Sequence, residues 1–334
     1  MKRLLLVIMM LSFGNFTKVG AQGSLAIGNN KLTFQEHVIF KGWKNCVKLS
    51  NGSVELIVTT DVGPRIIRFG FVDGPNIFYV SPTDKGKTGG TDWHLYGGHR
   101  FWHSPEVAPR TYSPDNSPVN YTWDGTTLKL IQDVEPLTSI VKEIEITLKA
   151  DKDEVKVMHR MINKSCWNVE LAPWSISACA AGGRAIVPQE PYIDPADYLL
   201  PIRPIVLWAY TKMTDPRYTW GDKYIQAKQD SLIKSETKIG VLNKQKWVAF
   251  YLNKTLFVKT FGYDPNALYP DYGCNNEIYI NGDFLEVESL GPLSKILPQG
   301  IIEHTEYWSL HKVLLQEEDD SIEKNVLPLV KWNK

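Results

Sequence analysis

The sequence predicts an all-β protein built from two large antiparallel sheets packed face to face. Apolar and polar residues alternate with a period of two along most of the chain, and the alternating segments are rich in β-branched residues. Clusters of Gly, Pro, Asn and Asp such as "DGPN", "WDGT" and "KADKDE" separate these segments and favour turns. Helical periodicity is scarce. Together these observations exclude a βαβ nucleotide-binding fold.

Eight segments carry the strand pattern. In chain order they are residues 53–60, 65–71, 139–150, 154–163, 238–261, 276–282, 284–290 and 301–315. Short helical turns are predicted at residues 194–201 and 316–324. Residues 81–118 and 182–233 lack a regular pattern, and irregular stretches of this length often form the walls of a binding cleft. No repeat or linker interrupts the chain, so we expect a single domain over residues 22–334.

The first 21 residues have the pattern of a secretory signal peptide. Lys2 and Arg3 precede the apolar run "LLLVIMMLSF", and small residues lead to a cleavage site after Ala21. The apolar run is too short to span a bilayer, and no later segment is long enough for a membrane anchor. We therefore expect cleavage before Gln22 and a secreted or periplasmic protein, as is typical of bacterial export.

The composition excludes several classes of function. The chain has 37 basic and 37 acidic residues, a balance that gives no electrostatic basis for binding nucleic acid or an anionic membrane. The sequence has no GxSxG elbow, P-loop or dinucleotide fingerprint. Its four cysteines have no CxxC spacing, and their disulfide pairing stays open. The 11 Trp and 15 Tyr suit a β-sheet core or a surface that stacks on sugar rings.

The stretch "HLYGGHRFWHSPE" concentrates polar and aromatic chemistry in one irregular segment. A sugar site would use His99 as a proton donor or hydroxyl ligand, Arg100 as a multidentate donor and Trp102 as a stacking face. Gly97 and Gly98 would let the backbone approach closely. This pattern predicts a loop that forms one wall of a sugar-binding cleft.

Two other interpretations of the same stretch stay open. His99, His103 and Glu106 could supply nitrogen and oxygen ligands to a metal, although an HxxxH pair binds zinc best on a helix and this segment is a poor helix. Alternatively, His94 and His103 only bond loop backbone, as buried polar side chains usually must.

A second candidate group lies in "FLEVESLGP". On a strand, Glu286 and Glu288 face the same way and lie roughly 7 Å apart. If that face lines a cleft, repulsion and partial burial raise the proton affinity of one carboxylate and make it a plausible general base. A solvated strand face is the alternative. Asp271 in the preceding polar turn "YPDYGCNNEIY" is a weaker candidate for binding a hydroxyl.

The order of several segments resembles the galactose mutarotase-like superfamily, and in particular an exported bacterial branch of it. These segments are "LSNGSVELIVTTDVGPRIIRFGF", "GGHRFWHSPE", "NKSCWNVELAPWSIS" and "DFLEVESLGPLSKILPQGIIEHTEYWSL". The resemblance covers roughly residues 45–312, although each motif is loose. It implies a β-supersandwich of two extended antiparallel sheets, with a carbohydrate site on one face.

The resemblance also implies roles for individual residues. In mutarotases a glutamate takes the proton of the anomeric hydroxyl while a histidine protonates the ring oxygen, and no cofactor is needed. The glutamate corresponds to Glu288, with Glu286 as its rival, and the early histidine corresponds to His99. Arg65 or Arg68 corresponds to an arginine of an early strand.

The segment "APWSIS" departs from the family pattern. A second histidine of mutarotases would align near Trp174, and tryptophan cannot transfer a proton. His99 would then act as the acid, because Arg100 beside it lowers its proton affinity. Equally, the chain could keep a sugar-binding face and lack catalysis.

Three functions therefore stay open. The first is an aldose epimerase-type enzyme with Glu288 as base and His99 as acid, in which Asp271 helps to hold hydroxyls. The second is a non-catalytic protein that stacks a glycan on Trp102 and Trp174. The third is a metal-dependent hydrolase. The first two functions have a carbohydrate as ligand and need no cofactor. The sequence does not indicate the oligomeric state.

Overall fold

The computed structural model describes residues 32–330, and almost all of its regular structure is strand. The strands in chain order are β1 (Thr33–Phe40), β2 (Trp43–Ser50), β3 (Val54–Thr59), β4 (Arg65–Phe71), β5 (His99–Ser104), β6 (Asn120–Trp123), β7 (Thr127–Ile131), β8 (Ile140–Leu148), β9 (Glu154–Asn163), β10 (Val169–Cys179), β11 (Arg184–Pro188), β12 (Ile205–Leu207), β13 (Tyr218–Trp220), β14 (Tyr224–Lys228), β15 (Thr237–Val241), β16 (Trp247–Leu252), β17 (Thr255–Phe261), β18 (Asn276–Ile280), β19 (Leu285–Leu290), β20 (Ser294–Ile296) and β21 (Ile301–Lys312). The helical segments are α1 (Pro270–Gly273), α2 (Asp319–Asn325) and a 3-10 turn (Leu327–Leu329).

These strands form two antiparallel sheets, as the sequence predicts. Within residues 32–330 the larger sheet has eleven strands in the order β1-β2-β3-β4-β5-β10-β19-β18-β15-β12, with β20 beside β10. The smaller sheet has ten, in the order β13-β14-β11-β16-β17-β21-β9-β8-β7-β6. The centre of the larger sheet therefore joins strands that are far apart in the sequence.

The two sheets pack face to face around one apolar core. Inward side chains of the larger sheet, such as Leu56, Ile66 and Val287, belong to the same buried cluster as Val157 and Phe257 of the smaller sheet. Alternation along each strand then leaves every second side chain of the larger sheet on the face turned away from the smaller sheet. We call this second face the outer face.

The strand prediction is confirmed for all eight patterned segments, with residues 238–261 divided among β15, β16 and β17. The prediction of irregular structure is partly wrong. Residues 81–118 contain β5, and residues 182–233 contain β11 to β14. Several of these strands are buried on both faces, so no polar and apolar alternation marks them. A helix is present within residues 316–324, whereas residues 194–201 form only a turn.

The predicted signal peptide, residues 1–21, lies outside the described residues. Among residues 32–330, no helix has the length and apolar character needed to cross a membrane. The four cysteines are unbonded; Cys166 is exposed, and Cys46, Cys179 and Cys274 are buried.

Candidate functional site

Strand β5 divides its side chains between two environments. His99 and Phe101 face the smaller sheet and contact the ring of His159 on β9. Arg100 and Trp102 point to the outer face. Because β5 lies at the centre of the larger sheet, it brings a cation and an indole to the middle of this face.

Strands β10, β15, β18 and β19 place further charged and aromatic side chains beside them. The group, which we call the outer-face cluster, consists of Arg100, Trp102, Trp174, Lys238, Glu277, Glu286 and Glu288. Strand register explains the assembly, because Ile176 of β10 is paired with both Arg100 and Glu288, and Glu288 is paired with Glu277. All seven side chains are buried.

The first half of the cluster is an ion pair over an indole. Arg100 Nη1 donates to Glu286 Oε1 at 2.7 Å, and the guanidinium carbon lies 4.5 Å from the ring centroid of Trp102. The Trp102 and Trp174 rings meet edge to face with their centroids 5.5 Å apart. These contacts fix the guanidinium and both rings without help from a ligand.

The second half of the cluster centres on Lys238. Its Nζ lies 2.7 Å from Glu277 Oε2 and 3.0 Å from Glu288 Oε2, and Trp174 Nε1 donates to the same Glu288 oxygen at 2.7 Å. The ammonium also lies 4.5 Å from the Trp174 ring and 4.7 Å from the Trp208 ring. Lys238 is thus held between two carboxylates and two indoles.

Burial and mutual interaction shift the proton affinities in this cluster. Burial raises the pKa of Glu277 well above its usual value, and the neighbouring Glu288 and Asp271 raise it further against the opposing effect of Lys238. The pKa of Glu286 is raised as well, mainly by burial, although Arg100 opposes the shift. Burial alone would lower the pKa of Lys238, but Glu277 and Glu288 raise it well above its usual value. Groups with such shifts are typical of acid–base sites.

A rim of aromatic and acidic residues borders the cluster. Trp93 and Tyr112 pack on Trp102, and the Tyr112 hydroxyl donates to Glu106. On another side, the predicted ligand Asp271 accepts a hydrogen bond of 3.2 Å from Ser104, the last residue of β5.

The structure does not bring His99 to this site. Its ring lies between the sheets, where Nδ1 is 2.8 Å from Ser177 Oγ and Nε2 is 2.7 Å from His159 Nε2. Its neighbour Arg100 faces the opposite way, so the predicted acid and the predicted base Glu288 lie on opposite faces of the sheet. The pairing of His99 with Glu288 as acid and base is therefore not supported, because residue 99 belongs to a strand and not to a loop.

The predicted metal site at His99, His103 and Glu106 is also not formed. The two histidines are four residues apart on one strand, which separates them by about 13 Å, and Glu106 is bonded to Tyr112 at the rim. A different set, His99 Nε2, His159 Nε2 and Glu306 Oε2, lies within 4.8 Å.

Hydrogen bonds and an ion pair explain why His99, His159 and Glu306 lie close together between the sheets. His159 Nδ1 donates to the carbonyl of His304, so its Nε2 is free to accept from His99. Glu306 is paired with Lys259 at 3.0 Å and accepts from Trp308 Nε1 at 2.8 Å. We therefore describe these residues as a polar network that ties the two sheets together.

Arg65 and Arg68 of β4, the two candidates for the arginine of the family pattern, are both bonded to residues outside the cluster. Arg65 is paired with Arg100 in the sheet, but its guanidinium donates to the carbonyls of Leu95 and Gly97 and to Asp115 Oδ2. Arg65 therefore holds the segment before β5 in place and does not reach into the cluster. Arg68 is bonded to Glu55 and to backbone carbonyls of the turn after β4.

Solved structures resemble this chain over most of its length. A TPR-domain-containing protein from Parabacteroides distasonis matches with a TM-score of 0.56 and 15% sequence identity. The match covers 81% of this chain but only 48% of the Parabacteroides protein, so this chain spans about half of that protein's length. A galactose mutarotase-like protein from Clostridium acetobutylicum gives a TM-score of 0.53 with 10% identity, covering 86% of this chain and all of the other. This protein has the galactose mutarotase-like fold.

A galactose mutarotase-like protein from Lactobacillus casei leads to the same fold, with a TM-score of 0.53, 9% identity, and coverage of 80% of this chain and 100% of the other. No family model and no curated protein matches the sequence. The galactose mutarotase-like fold was therefore predicted correctly from a few short motifs. At these identities the structural likeness extends to the fold alone.

On this fold, sequence reasoning missed two members of the cluster. Lys238 opens a predicted strand, and nothing in "KIGVLN" distinguishes it from a solvated lysine. Glu277 lies at the start of the predicted strand 276–282, beside a polar turn, and was not singled out. The pattern "NEIYI" carried the available signal, because alternation places Glu277 and Tyr279 on the face opposite Ile278.

Proposed function

We propose that this protein is a carbohydrate-active enzyme that binds a sugar over the outer-face cluster and interconverts its anomers, with Glu288 as the base. The observation that carries the proposal is the hydrogen bonding of Glu288, which lies beside the Trp174 indole. Its Oε2 is fixed by Trp174 and Lys238, whereas its buried Oε1 has no hydrogen-bond partner among the described residues. A buried acceptor without a partner is suited to a ligand hydroxyl.

The surrounding residues support a sugar as the ligand. Trp102 and Trp174 supply indole surface beside polar groups, and Arg100, Glu286 and the nearby Asp271 carry hydrogen-bond donors and acceptors. Several proteins of the same fold are described as galactose mutarotase-like, which supports the proposal by fold analogy. Anomer interconversion needs one base and one acid and no cofactor.

The first experiment measures anomer interconversion by proton NMR. Freshly dissolved α-anomers of galactose, glucose and several uronic acids are followed with and without protein. We expect acceleration for at least one sugar and its loss in Glu288→Gln, because the amide cannot accept the proton. Glu170→Gln is the matched control, since Glu170 is an exposed carboxylate on β10. No acceleration for any sugar, or acceleration that survives Glu288→Gln, would contradict the proposal.

A non-catalytic glycan-binding protein is the second candidate. One observation favours it: Trp174 occupies the position where the family resemblance implies a histidine, and its indole faces the cluster. This function predicts saturable sugar binding by calorimetry, loss of binding in Trp102→Ala, and no acceleration by the wild-type protein.

A further inference from the structure

Glu277, Glu288 and Lys238 form a trio of buried charges at the deep end of the outer-face cluster. Glu277 and Glu288 are directly opposite each other on β18 and β19. Lys238 Nζ contacts one oxygen of each, at 2.7 and 3.0 Å. Neither carboxyl side chain is accessible to solvent, and that of Lys238 is 4% accessible.

The trio has one positive charge for two carboxyl groups. The remaining charged groups nearby do not remove the imbalance, because Arg100 is already paired with Glu286 and the other neighbour of Glu277, Asp271, is an acid. An unpaired carboxylate in such a buried place is strongly disfavoured, and two carboxyl groups that share a site therefore retain one proton. At neutral pH the trio is expected to be electrically neutral.

Hydrogen bonds indicate which carboxyl group holds this proton. Glu288 accepts from Trp174 Nε1 and Lys238 Nζ, and both donors stabilise its negative charge. Glu277 contacts Lys238 at 2.7 Å, and the described residues offer neither of its oxygens any other donor. The raised pKa of Glu277 agrees with this assignment. When the surroundings of two neighbouring carboxyl groups push their pKa values apart, the protonated group serves as the acid and the ionised group as the base.

We propose that Glu277 holds the proton of the trio and is the acid that complements Glu288, an assignment that rests on the proposed function. Glu288 takes the proton of the anomeric hydroxyl, a carbonyl forms at C1, the C1–O5 bond breaks, and O5 takes the proton of Glu277. Rotation about C1–C2 and the reverse transfers give the other anomer and restore both groups. The trio is neutral before and after each pair of transfers, because Glu288 gains one proton as Glu277 loses one, and Lys238 stays protonated throughout.

The protonation state is tested without any substrate. Protein labelled with ¹³C at the glutamate carboxyl carbons is recorded by NMR at pH 7, and the two resonances are assigned by their absence from Glu277→Gln and Glu288→Gln. We expect the wild-type Glu277 resonance at a carboxylic-acid shift and the Glu288 resonance at a carboxylate shift. Two carboxylate shifts, or the reverse order, would overturn the proposal.

The catalytic role is tested with the sugar that Glu288→Gln fails to convert. Glu277→Gln should lower the rate on the order of 100-fold or more. The wild-type rate should fall at alkaline pH as Glu277 loses its proton, and the residual rate of Glu277→Gln should lack this decline. If Glu277→Gln kept the wild-type rate while Glu288→Gln was inactive, the acid role of Glu277 would be refuted and the proposed function would stand. No turnover by the wild-type protein would refute the proposed function, and with it the donor role.

Discussion

Single residues of the outer-face cluster matter because their charges are buried with specific partners. The side chains of Arg100 and Glu286 are only 5% and 8% exposed, and their contact is 2.7 Å long. Removing one member of such a pair leaves a buried charge without its direct partner. The contribution of each partner to stability therefore depends on the presence of the other.

We expect Arg100→Met to lower the free energy of unfolding by about 3 kcal/mol, because Glu286 is then buried without its cation. Urea denaturation at pH 7 measures the change. Adding Glu286→Gln to Arg100→Met should recover part of this loss, since the uncompensated charge disappears. Additive effects of the two substitutions would show that the pair is not coupled.

At the scale of elements, β5 shows what the sequence could and could not predict. Strands with one buried face, such as β9, were identified because their alternation is visible in "EVKVMHRMIN". Every residue of β5 is buried, three on each face, and its outward residues Arg100 and Trp102 belong to the cluster. A strand that carries polar residues on both buried faces has no periodic pattern, so it was interpreted as a loop.

The same element explains which site residues were predicted. Arg100, Trp102, Trp174, Glu286 and Glu288 lie together in the cluster. Residue chemistry had pointed to Arg100 and Trp102, strand alternation to Glu286 and Glu288, and the family resemblance to Trp174. Which strand lies beside which is decided by long-range pairing, and local sequence does not carry that information. The order of the strands brings Lys238 and Glu277 to the cluster, and the direction of the His99 side chain, which points between the sheets, keeps it away.

The entry into β5 requires glycine. Gly98 has φ +73°, and a Cβ there would lie 2.4 Å from the carbonyl oxygen of Ile66 on β4. Gly89 has almost the same φ, +71°, but a Cβ there would meet nothing within 4 Å. The two glycines thus share a backbone conformation and differ in the space around it.

We expect Gly89→Ala to lower the free energy of unfolding by about 1 kcal/mol, the cost of the left-handed conformation alone. Gly98→Ala should lower it by about 2 kcal/mol more, because β4 and β5 must separate to admit the methyl group. Urea denaturation of both variants gives the difference. Equal losses would show that β5 can shift without strain.

At the scale of the whole molecule, a polar network joins the two sheets through their apolar core. His99 and Ser289 of the larger sheet are bonded to His159 and His304 of the smaller one. Burial lowers the pKa of His159 to about 4 and that of His304 to about 3. Both rings are therefore neutral in the folded protein at pH values where the unfolded chain begins to protonate them.

This network makes stability depend on pH. A histidine with a lowered pKa contributes stability that is complete above about pH 6.5 and declines as the pH falls toward its folded value. We expect the difference in unfolding free energy between wild type and His159→Gln to shrink by about 2 kcal/mol from pH 7 to pH 5. Chemical denaturation at both pH values measures this. A constant difference for His159→Gln would argue against a buried neutral ring.

The strand order of the larger sheet also determines when the protein can complete its fold during synthesis. Strand β5 needs β10 as its neighbour, β10 needs β19, and β9 of the other sheet needs β21. The central ladder therefore cannot close until translation has passed residue 290. Such non-local pairing is slow and leaves strand edges open in the nascent chain. Until then, the emerging polypeptide holds unpaired apolar strands, which makes it prone to aggregate.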